Sequence, residues 1–512
     1  MKVSTLMTVQ KEKQQKKENN KNVNNKKSNK KRKEPQADIV AGKKKGLRNK
    51  ETNIISFTFI ALFGIMMVYL IYFNAFKAED VINNQYNKRI DNQASKVIRG
   101  DIETSDGVLI ATTNVDEDGN ETREYPYGEE YCHITGFANS SGKMGVELSE
   151  NFYLLSESDN IFDQIGNDIT GTKAKGGKAV TTINSKLQEA AYKSLKGNKG
   201  AVIAMEPSTG KILAMVSNPG FDPNNANEEY SEWINYDSQE SVLLNRATQG
   251  LYPPGSTFKI ITALEYIREN ENYGQYSYDC TGSAYINGGT TIPCFNSRAH
   301  GYETLETAFA NSCNSAFSTI GAGLNKRAFK NLCSTFMFNS NLPVGFEYNS
   351  SSFTVDENSG ISEMQETAIG QGKTMMTPLH NLMIVSSIAN KGKMMTPYMV
   401  DYIENNSNIV KKYSPDVCAE VMTEDEAAVL TEYMRSVVTK GTGSSFRYSD
   451  YSPVGKTGSA QYDESDNFHS WFVGFAPEDD PQIAICVVLE GGFTRIGSAQ
   501  DAAKTVLDAY FE

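Results

Sequence analysis

One stretch of the chain is far more apolar than the rest. Residues 54–73, IISFTFIALFGIMMVYLIYF, form a run of 20 positions without a formal charge. At about 1.5 Å per residue, such a helix spans roughly 30 Å, the thickness of the hydrocarbon core of a bilayer. A cleavable signal peptide is the competing interpretation, but the run is long for one and no small-x-small cleavage site follows it. The pattern therefore predicts one transmembrane helix at residues 54–76.

Helical and strand patterns dominate the chain after residue 180. Apolar residues recur with helical spacing in six segments, at 186–195, 256–270, 304–321, 377–390, 424–439 and 502–511. Four apolar runs predict strands, the first two as a hairpin around a Pro/Gly turn, at 200–205, 211–216, 469–476 and 482–489. Helices that interrupt a set of strands predict an α/β (α+β) fold, with one antiparallel sheet covered by helices on both faces.

The segment between these two regions is polar and loop-rich. It contains Gly- and Asn-rich stretches such as DEDGNETRE, and its short alternating runs predict small strands joined by turns. We interpret it as a small non-catalytic pedestal. The chain is thus predicted to have four parts, namely a tail at 1–53, a transmembrane helix at 54–76, a pedestal at 77–180 and a large domain at 181–512.

Charge is distributed unevenly along the chain. Residues 1–53 hold 17 Lys/Arg and 5 Asp/Glu, a net charge of +12, and the whole-chain value of −12 therefore leaves −24 for the remainder. The tail has too few aliphatic residues to form a core, so we predict that it is disordered. A nucleic-acid-binding arm is one interpretation, but the apolar helix that follows favours a cytoplasmic flank on anionic lipid. The positive-inside rule then places the amino terminus in the cytoplasm and the rest of the chain outside it.

The cysteines and histidines predict neither a metal site nor a cofactor site. The seven cysteines are an odd, sparse set without a CxxC pair, which argues against a metal site and against a disulfide framework. Four histidines leave little for a zinc site or a histidine-based triad, and His300 and His469 are expected to be structural. Cys280 and Cys294 bracket a Gly-rich insert and are a candidate disulfide pair.

A serine and a lysine one turn apart stand where a Pro-Gly stop meets an apolar helix. In YPPGSTFK, Ser256 opens the helix and Lys259 follows three residues later. Because residues i and i+3 share a helix face, we expect the Lys259 amine to reach the Ser256 hydroxyl and act as its base. The helix N-terminus adds partial positive charge where an oxyanion would form. The same SxxK pattern occurs in the basic tail, in a Gly-rich loop and in a hairpin turn, at Ser28, Ser140 and Ser208.

Two further motifs follow in the chain. In the run SCN, the Ser312 hydroxyl can relay a proton and the Asn314 amide can hold a substrate amide, although SxN alone is equally typical of an ordinary polar turn. In the run KTGS, Lys456 and Thr457 offer a cation and a hydroxyl for a substrate carboxylate. The missing side chain of Gly458 lets a substrate backbone lie against the strand.

The order SxxK, SxN, KTG, with gaps of 56 and 144 residues, is similar to the signature of the penicillin-recognising serine enzymes. Other segments resemble one branch of them, the class B penicillin-binding proteins, which are monofunctional D,D-transpeptidases. These segments are GAV at 200–202, NRA at 245–247, IGQG at 369–372, TPL at 377–379, GTG at 441–443 and WFVG at 471–474. The resemblance implies the penicillin-recognising serine transpeptidase fold, preceded by a dimerisation-like pedestal.

The resemblance also implies a mechanism. Ser256 would attack the penultimate D-Ala carbonyl of a peptidoglycan stem peptide, D-Ala would leave, and an amine of a neighbouring stem would take the acyl group. Lys259 would be the base, and β-lactams would acylate Ser256. The other roles would be proton transfer by Ser312, binding of the acyl amide by Asn314, binding of the terminal carboxylate by Lys456 and Thr457, and an oxyanion hole from the N–H groups of Ser256 and Ser459.

Partners and alternatives follow from the same resemblance. It implies a membrane glycosyltransferase as partner, by analogy alone, and no nucleic acid. A β-lactamase is disfavoured because no ExxLN segment lies between the second and third motifs. A D,D-carboxypeptidase would differ only in using water as the acceptor. A non-catalytic β-lactam sensor would need a signalling domain. A structural wall protein would keep the fold but would not need three intact motifs.

Overall fold

The computed structural model describes residues 41–77, 81, 96–139, 142–157, 173–195, 197–235, 241–462, 467–491 and 498–512. It divides into two units, Met1–Ala78 and Glu79–Glu512. The first unit contains helix α1 (Ala41–Phe76). Within α1, the segment Lys50–Phe73 is long and apolar enough to cross a membrane, and it is the single such helix in the described part of the chain. Its apolar residues occupy all sides of the helix, which is the pattern of a helix surrounded by an apolar environment.

The second unit is built from short helices and strands. Its helices are α2 (Cys132–Thr135), α3 (Gly145–Ser149), α4 (Asn151–Leu154), α5 (Ser185–Leu195), α6 (Ala226–Trp233), α7 (Lys259–Glu269), α8 (Leu305–Ala310), α9 (Asn314–Gly323), α10 (Lys326–Thr335), α11 (Ile361–Ala368), α12 (Pro378–Ala389), α13 (Glu424–Thr439) and α14 (Ala499–Phe511). Its strands are β1 (Val97–Ile98), β2 (Ile102–Glu103), β3 (Leu109–Val115), β4 (Glu121–Glu124), β5 (Ala138–Asn139), β6 (Gly142–Lys143), β7 (Ala174–Lys175), β8 (Lys178–Thr181), β9 (Gly200–Met205), β10 (Ile212–Asn218), β11 (Tyr278–Cys280), β12 (Ser283–Tyr285), β13 (Thr291–Pro293), β14 (Gly301–Glu303), β15 (Lys393–Met395), β16 (Val400–Asn405), β17 (Asn408–Lys412), β18 (Val417–Glu420), β19 (Val454–Gln461), β20 (Phe468–Ala476) and β21 (Ile483–Leu489).

A five-stranded antiparallel sheet with the order β10-β9-β21-β20-β19 forms the centre of this unit. Every residue of β21 is buried, so the strand needs apolar side chains on both faces. Ile485 and Val487 belong to a cluster with α5 and α14, whereas Cys486 and Val488 belong to the main core, and α12 packs against the same strand. The predicted antiparallel sheet covered by helices on both faces is confirmed.

The predicted helix at 304–321 is wrong in one respect, because it is two helices. Helix α8 ends at Ala310 and helix α9 begins at Asn314. Between them Ser312 has a φ of 56°, which lies in the left-handed region and cannot continue a right-handed helix. The break converts the middle of an apolar pattern into a tight turn. Both helices remain buried on the sides that pack against the core.

A second sheet combines the pedestal with a distant part of the chain. Its six strands have the order β17-β16-β8-β2-β3-β4. Strand β16 pairs antiparallel with β8, with Val400 opposite Thr181, and β8 pairs parallel with β2. Residues 400–412 therefore complete a sheet whose other strands precede residue 182, although the sequence pattern assigned them to the large domain.

A buried charge cluster joins the segments of the pedestal. The fully buried Glu147 carboxylate pairs with Arg99, and its Oε1 lies 2.7 Å from Arg123 Nε and 3.1 Å from the Tyr125 hydroxyl that donates to it. Burial alone would raise the pKa of Glu147, but the two guanidinium groups outweigh it and hold that pKa below its usual value. Removing one member of such a cluster leaves a buried charge without compensation.

The buried His380 of α12 predicts a pH dependence of stability. Its Nε2 lies 2.6 Å from the Phe336 carbonyl oxygen and its Nδ1 has no partner, so a second proton would be buried without an acceptor. Burial lowers the pKa of His380 to about 4, from about 6.5 in the unfolded chain. Stability is therefore complete above pH 6.5 and is lost as the pH falls towards 4, by up to about 3 kcal/mol from this residue. Urea unfolding at pH 7 and pH 5 should show a smaller loss for His380→Gln than for the wild type, and an equal loss would refute the assignment.

Candidate active site

Ser256 is held at the start of α7 by a tightly packed turn. The turn is a 3₁₀ helix, Gly255–Phe258, that leads directly into α7. Gly255 has a φ of 54°, and a Cβ atom there would lie 2.7 Å from the Ser459 carbonyl oxygen, so only glycine fits. The Gly255 N–H donates to the Gly370 carbonyl oxygen at 2.8 Å. The turn is thus fixed against β19 on one side and a glycine loop on the other, with Ser256 half-exposed above it.

Lys259 is completely buried and donates to the second motif. Its Nζ lies 2.7 Å from the Ser312 carbonyl oxygen, 2.8 Å from Asn314 Oδ1 and 3.3 Å from Ser312 Oγ. The expected hydrogen bond between Lys259 and Ser256 is not formed, and the Ser256 hydroxyl has no hydrogen-bond partner among the described residues. A buried ammonium needs strong acceptors, and the carbonyl and amide oxygens of the Ser312 turn supply them. The Ser256 hydroxyl is left available at the cleft.

Lys456 reaches the same hydroxyl from the central sheet. It lies on β19 and is also fully buried, with Nζ 2.9 Å from Ser312 Oγ and 3.0 Å from the Thr457 carbonyl oxygen. Ser312 Oγ therefore accepts from two lysines at once. Its own proton remains to be donated to a third group.

Burial changes the protonation of both lysines. It lowers the pKa of Lys259 to about 7, against the opposing effect of the nearby thiols of Cys313 and Cys294. Burial, and then the charge of Lys259, lower the pKa of Lys456 well below its usual value. Two ammonium groups that share one hydroxyl in a dry site repel each other, so the loss of one proton is favoured. An amine with a pKa near neutrality can act as a general base.

Strand β19 supplies one wall of the site. It is the last strand of the five-stranded sheet, so its outer edge is directed away from the other four strands. Thr457 Oγ1 lies 2.5 Å from Thr442 Oγ1, which places two hydroxyls side by side. A Cβ atom at Gly458 would lie 3.0 Å from Trp471 Cβ and 3.1 Å from Thr257 Cγ2. An extended peptide can lie along a sheet edge of this kind and use its backbone groups for pairing.

All eight site residues named from the sequence converge on one cleft of about 940 Å³. Six of them line it, namely Ser256, Ser312, Asn314, Thr457, Gly458 and Ser459. Lys259 and Lys456 lie beneath its floor and contact it through Ser312. Sequence reasoning did not single out Thr442 as a site residue, and its GTG context was the available signal. Trp471 and Phe472, in the strand predicted at 469–476, are 1% and 0% exposed.

The cysteines near the cleft differ from expectation. Cys280 and Cys294 are free thiols with Sγ atoms 3.7 Å apart, and Cys313 and His300 bring two more ligand atoms to the same place. These four side chains lie close enough together to hold a metal ion, an arrangement that the sequence argument against a metal site did not anticipate. That argument rested on the absence of CxxC spacing, whereas His300 supplies its ligand atom from between Cys294 and Cys313 in the chain.

The chain matches the family described as the penicillin binding protein transpeptidase domain over residues 200–509, which is more than half of its length. The chain belongs to this family. Residues 99–179 also match the family described as the penicillin binding protein A dimerisation domain. These two matches lie inside the predicted segments 181–512 and 77–180.

Individual relatives agree with this membership. The peptidoglycan D,D-transpeptidase PbpA of Mycolicibacterium smegmatis is 28% identical over 473 residues, which cover 86% of this chain and 95% of that protein. Stage V sporulation protein D of Bacillus subtilis is 30% identical over 438 residues, which cover 79% of this chain and 64% of that protein. The solved imipenem acyl-enzyme of penicillin-binding protein A from M. tuberculosis is 28% identical, with a TM-score of 0.73, and covers 81% of this chain and 99% of that chain. The resemblance to class B penicillin-binding proteins is confirmed.

Proposed function

We propose that this chain is a peptidoglycan D,D-transpeptidase that works through an acyl-enzyme on Ser256. The observation that carries the proposal is that an available serine hydroxyl shares one cleft with a hydroxyl contacted by two buried lysines. Relatives support the substrate class, because the M. smegmatis protein is a peptidoglycan D,D-transpeptidase and the M. tuberculosis protein forms acyl-enzymes with imipenem and penicillin G.

In the proposed acylation, neutral Lys259 takes the proton of Ser256 as its oxygen attacks the carbonyl carbon. The scissile C–N bond then breaks, and Ser312 donates its proton to the leaving D-Ala amine. Lys259 restores the Ser312 proton across the 3.3 Å that separates Nζ from Oγ. The second step reverses this transfer, with the acceptor amine in place of D-Ala, so the enzyme returns to its starting protonation.

In the proposed substrate complex, the stem peptide lies along β19. Asn314 holds the acyl amide, and Lys456 and Thr457 bind the terminal carboxylate, with the Thr442 hydroxyl beside Thr457. The backbone N–H groups of Ser256 and Ser459 form the oxyanion hole. Because Gly458 has no side chain, it leaves space for the peptide backbone.

We further propose that α1 anchors the protein in the cell membrane as a single-pass helix. By the positive-inside rule, the basic residues before it favour a cytoplasmic amino terminus, and the proposed orientation has the transpeptidase domain on the outer side. A membrane glycosyltransferase is the proposed partner, because a transpeptidase needs newly made glycan strands as substrate.

The test is product analysis with lipid II, using the full chain together with a membrane glycosyltransferase. Mass spectrometry of the digested product should show cross-linked stem dimers, and prior incubation with penicillin should remove them. Release of D-Ala without dimers would instead identify a D,D-carboxypeptidase. Unchanged stem peptides, from protein that binds penicillin, would identify a non-catalytic β-lactam sensor.

A further inference from the structure

Four ligand atoms converge behind the Ser312 turn. Cys294 Sγ lies 3.7 Å from Cys280 Sγ and 3.7 Å from Cys313 Sγ. His300 Nδ1 lies 3.4 Å from Cys280 Sγ. All four atoms lie within 4.8 Å of one another. The transpeptidase mechanism uses none of these side chains.

These three separations fit the edges of a metal-centred tetrahedron, and the remaining ligand atoms lie no more than 4.8 Å apart. With Zn–S near 2.3 Å and Zn–N near 2.0–2.1 Å, two sulfurs in a tetrahedral site lie about 3.8 Å apart, and a sulfur and a nitrogen about 3.5 Å apart. A disulfide would require about 2.05 Å between the sulfurs. We propose that Cys280, Cys294, His300 and Cys313 bind one zinc ion. Tetrahedral sulfur and nitrogen ligation favours zinc among the common divalent ions.

The surroundings of the sulfurs suit thiolates. The Ser315 N–H donates to Cys294 Sγ at 3.5 Å and the Ala316 N–H donates to Cys313 Sγ at 3.4 Å. The Ser315 hydroxyl lies 3.1 Å from Cys294 Sγ, where it can donate to a thiolate. Both N–H groups belong to the first turn of α9, where the helix dipole favours negative charge. Donors of this kind orient and stabilise metal ligands.

The site is closed, which is the mark of a structural ion. Cys280, Cys294 and Cys313 are at most 3% exposed, and His300 is half-buried. Four protein ligands complete a tetrahedral shell and leave no position for water or substrate. The proposed ion therefore acts through what it holds in place.

The region that supplies three of the ligands has little core of its own. It consists of two two-stranded sheets, β11–β14 and β12–β13, a size that is marginal without other support. Three of its four aromatic residues, Tyr285, Phe295 and Tyr302, are 68%, 52% and 74% exposed, so they do not provide that support, whereas Tyr278 packs partly buried against the main core. Small folds of this kind are commonly held by a metal or a disulfide.

The fourth ligand connects this region to the catalytic turn. Cys313 lies between Ser312 and Asn314, and Asn314 Nδ2 donates to the Pro293 carbonyl oxygen at 3.1 Å, next to Cys294. Zinc would thus fix the turn that carries the left-handed Ser312 and the cleft wall beside it. Cys313 is in this respect a positioning residue. The zinc site goes beyond the proposed transpeptidase activity and does not depend on it.

The experiment measures metal in the full chain, purified in detergent without chelator. Inductively coupled plasma mass spectrometry should find about one zinc ion per chain. His300→Ala and Cys280→Ser should each weaken zinc binding at least 10-fold in competition with a chromophoric chelator, whereas Cys418→Ser, outside the cluster, should not. Because His300 is half-buried, its replacement tests the site even where Cys280→Ser fails to fold. Cobalt-substituted wild type should show thiolate-to-cobalt charge-transfer absorption.

A second measurement follows the consequence for the Ser312 turn. Removal of zinc from the wild type should lower the melting temperature and slow penicillin acylation about 10–100-fold, and added zinc should restore both. Folded wild type without zinc, or with a disulfide between Cys280 and Cys294 in peptide maps, would overturn the proposal. If both variants retained their zinc, the ion would have to bind elsewhere, and this result would also overturn the proposal. Metal content is measured independently of transpeptidation, so the two proposals can fail separately.

Discussion

Replacing Ser256 with alanine is expected to abolish covalent labelling of the protein by fluorescent penicillin. The Ser256 hydroxyl is the proposed nucleophile of the cleft, whereas the Ser312 hydroxyl accepts hydrogen bonds from Lys259 and Lys456. Loss of the nucleophile in a serine enzyme lowers the rate by about 10⁶-fold, so the label should fall below detection. In-gel fluorescence and the intact mass after incubation with penicillin measure the outcome.

Ser208 provides a matched control, because it also precedes a lysine by three residues. It lies exposed in the turn between β9 and β10, and Ser208→Ala should be labelled as fast as the wild type. A single penicillin adduct on Ser256→Ala would show that another residue is the nucleophile. Melting temperatures of the two variants should match the wild type, since neither serine side chain is part of the core.

Replacing Lys259 with methionine is expected to slow acylation by roughly 10²–10⁴-fold, the usual contribution of a general base. Methionine fills a similar volume in the buried site but cannot take the Ser256 proton. It also leaves the Ser312 carbonyl oxygen and Asn314 Oδ1 without their donor, which lowers stability by about 1–3 kcal/mol. Stopped-flow labelling over a range of penicillin concentrations separates the acylation rate constant from binding.

The distinction between rate and binding is decisive for Lys259. A base changes the limiting acylation rate and leaves the initial binding of penicillin largely unchanged, whereas a residue that only holds the carboxylate changes binding. Lys211→Met is the control, since Lys211 is the lysine of the Ser208 match, pairs with Asp401 at 3.1 Å and does not line the cleft. An unchanged limiting rate in folded Lys259→Met would refute the role of Lys259.

The strongest sequence patterns predicted most of the fold. The apolar runs at 200–205 and 482–489 became neighbouring strands because a strand buried on both faces requires apolar side chains at every position. The helical spacing at 377–390 and 424–439 became α12 and α13 within about one residue at either end. The proposed nucleophile could also be singled out from the sequence, because the Pro-Gly stop before Ser256 distinguishes it from the other three SxxK serines.

Other features depended on contacts between distant residues. The helical pattern at 304–321 does not reveal the break at Ser312, since the left-handed φ is imposed by the core packing of α8 and α9 and by the two lysines that meet there. The pairing of β16 with β8 joins residues more than 200 positions apart, with Val400 opposite Thr181, and no local pattern encodes such a partner.

The sequence by itself determined the apolar helix, the central strands, the order of the three motifs and the choice of Ser256 as the proposed nucleophile, because each rests on residues within a few positions of one another. Tertiary structure alone decided that Lys259 donates to the Ser312 turn and not to Ser256, and that Lys456 meets it there. It also decided the convergence of Cys280, Cys294, His300 and Cys313. Spacing along the chain does not predict these contacts, since they arise where separate segments pack around one cleft.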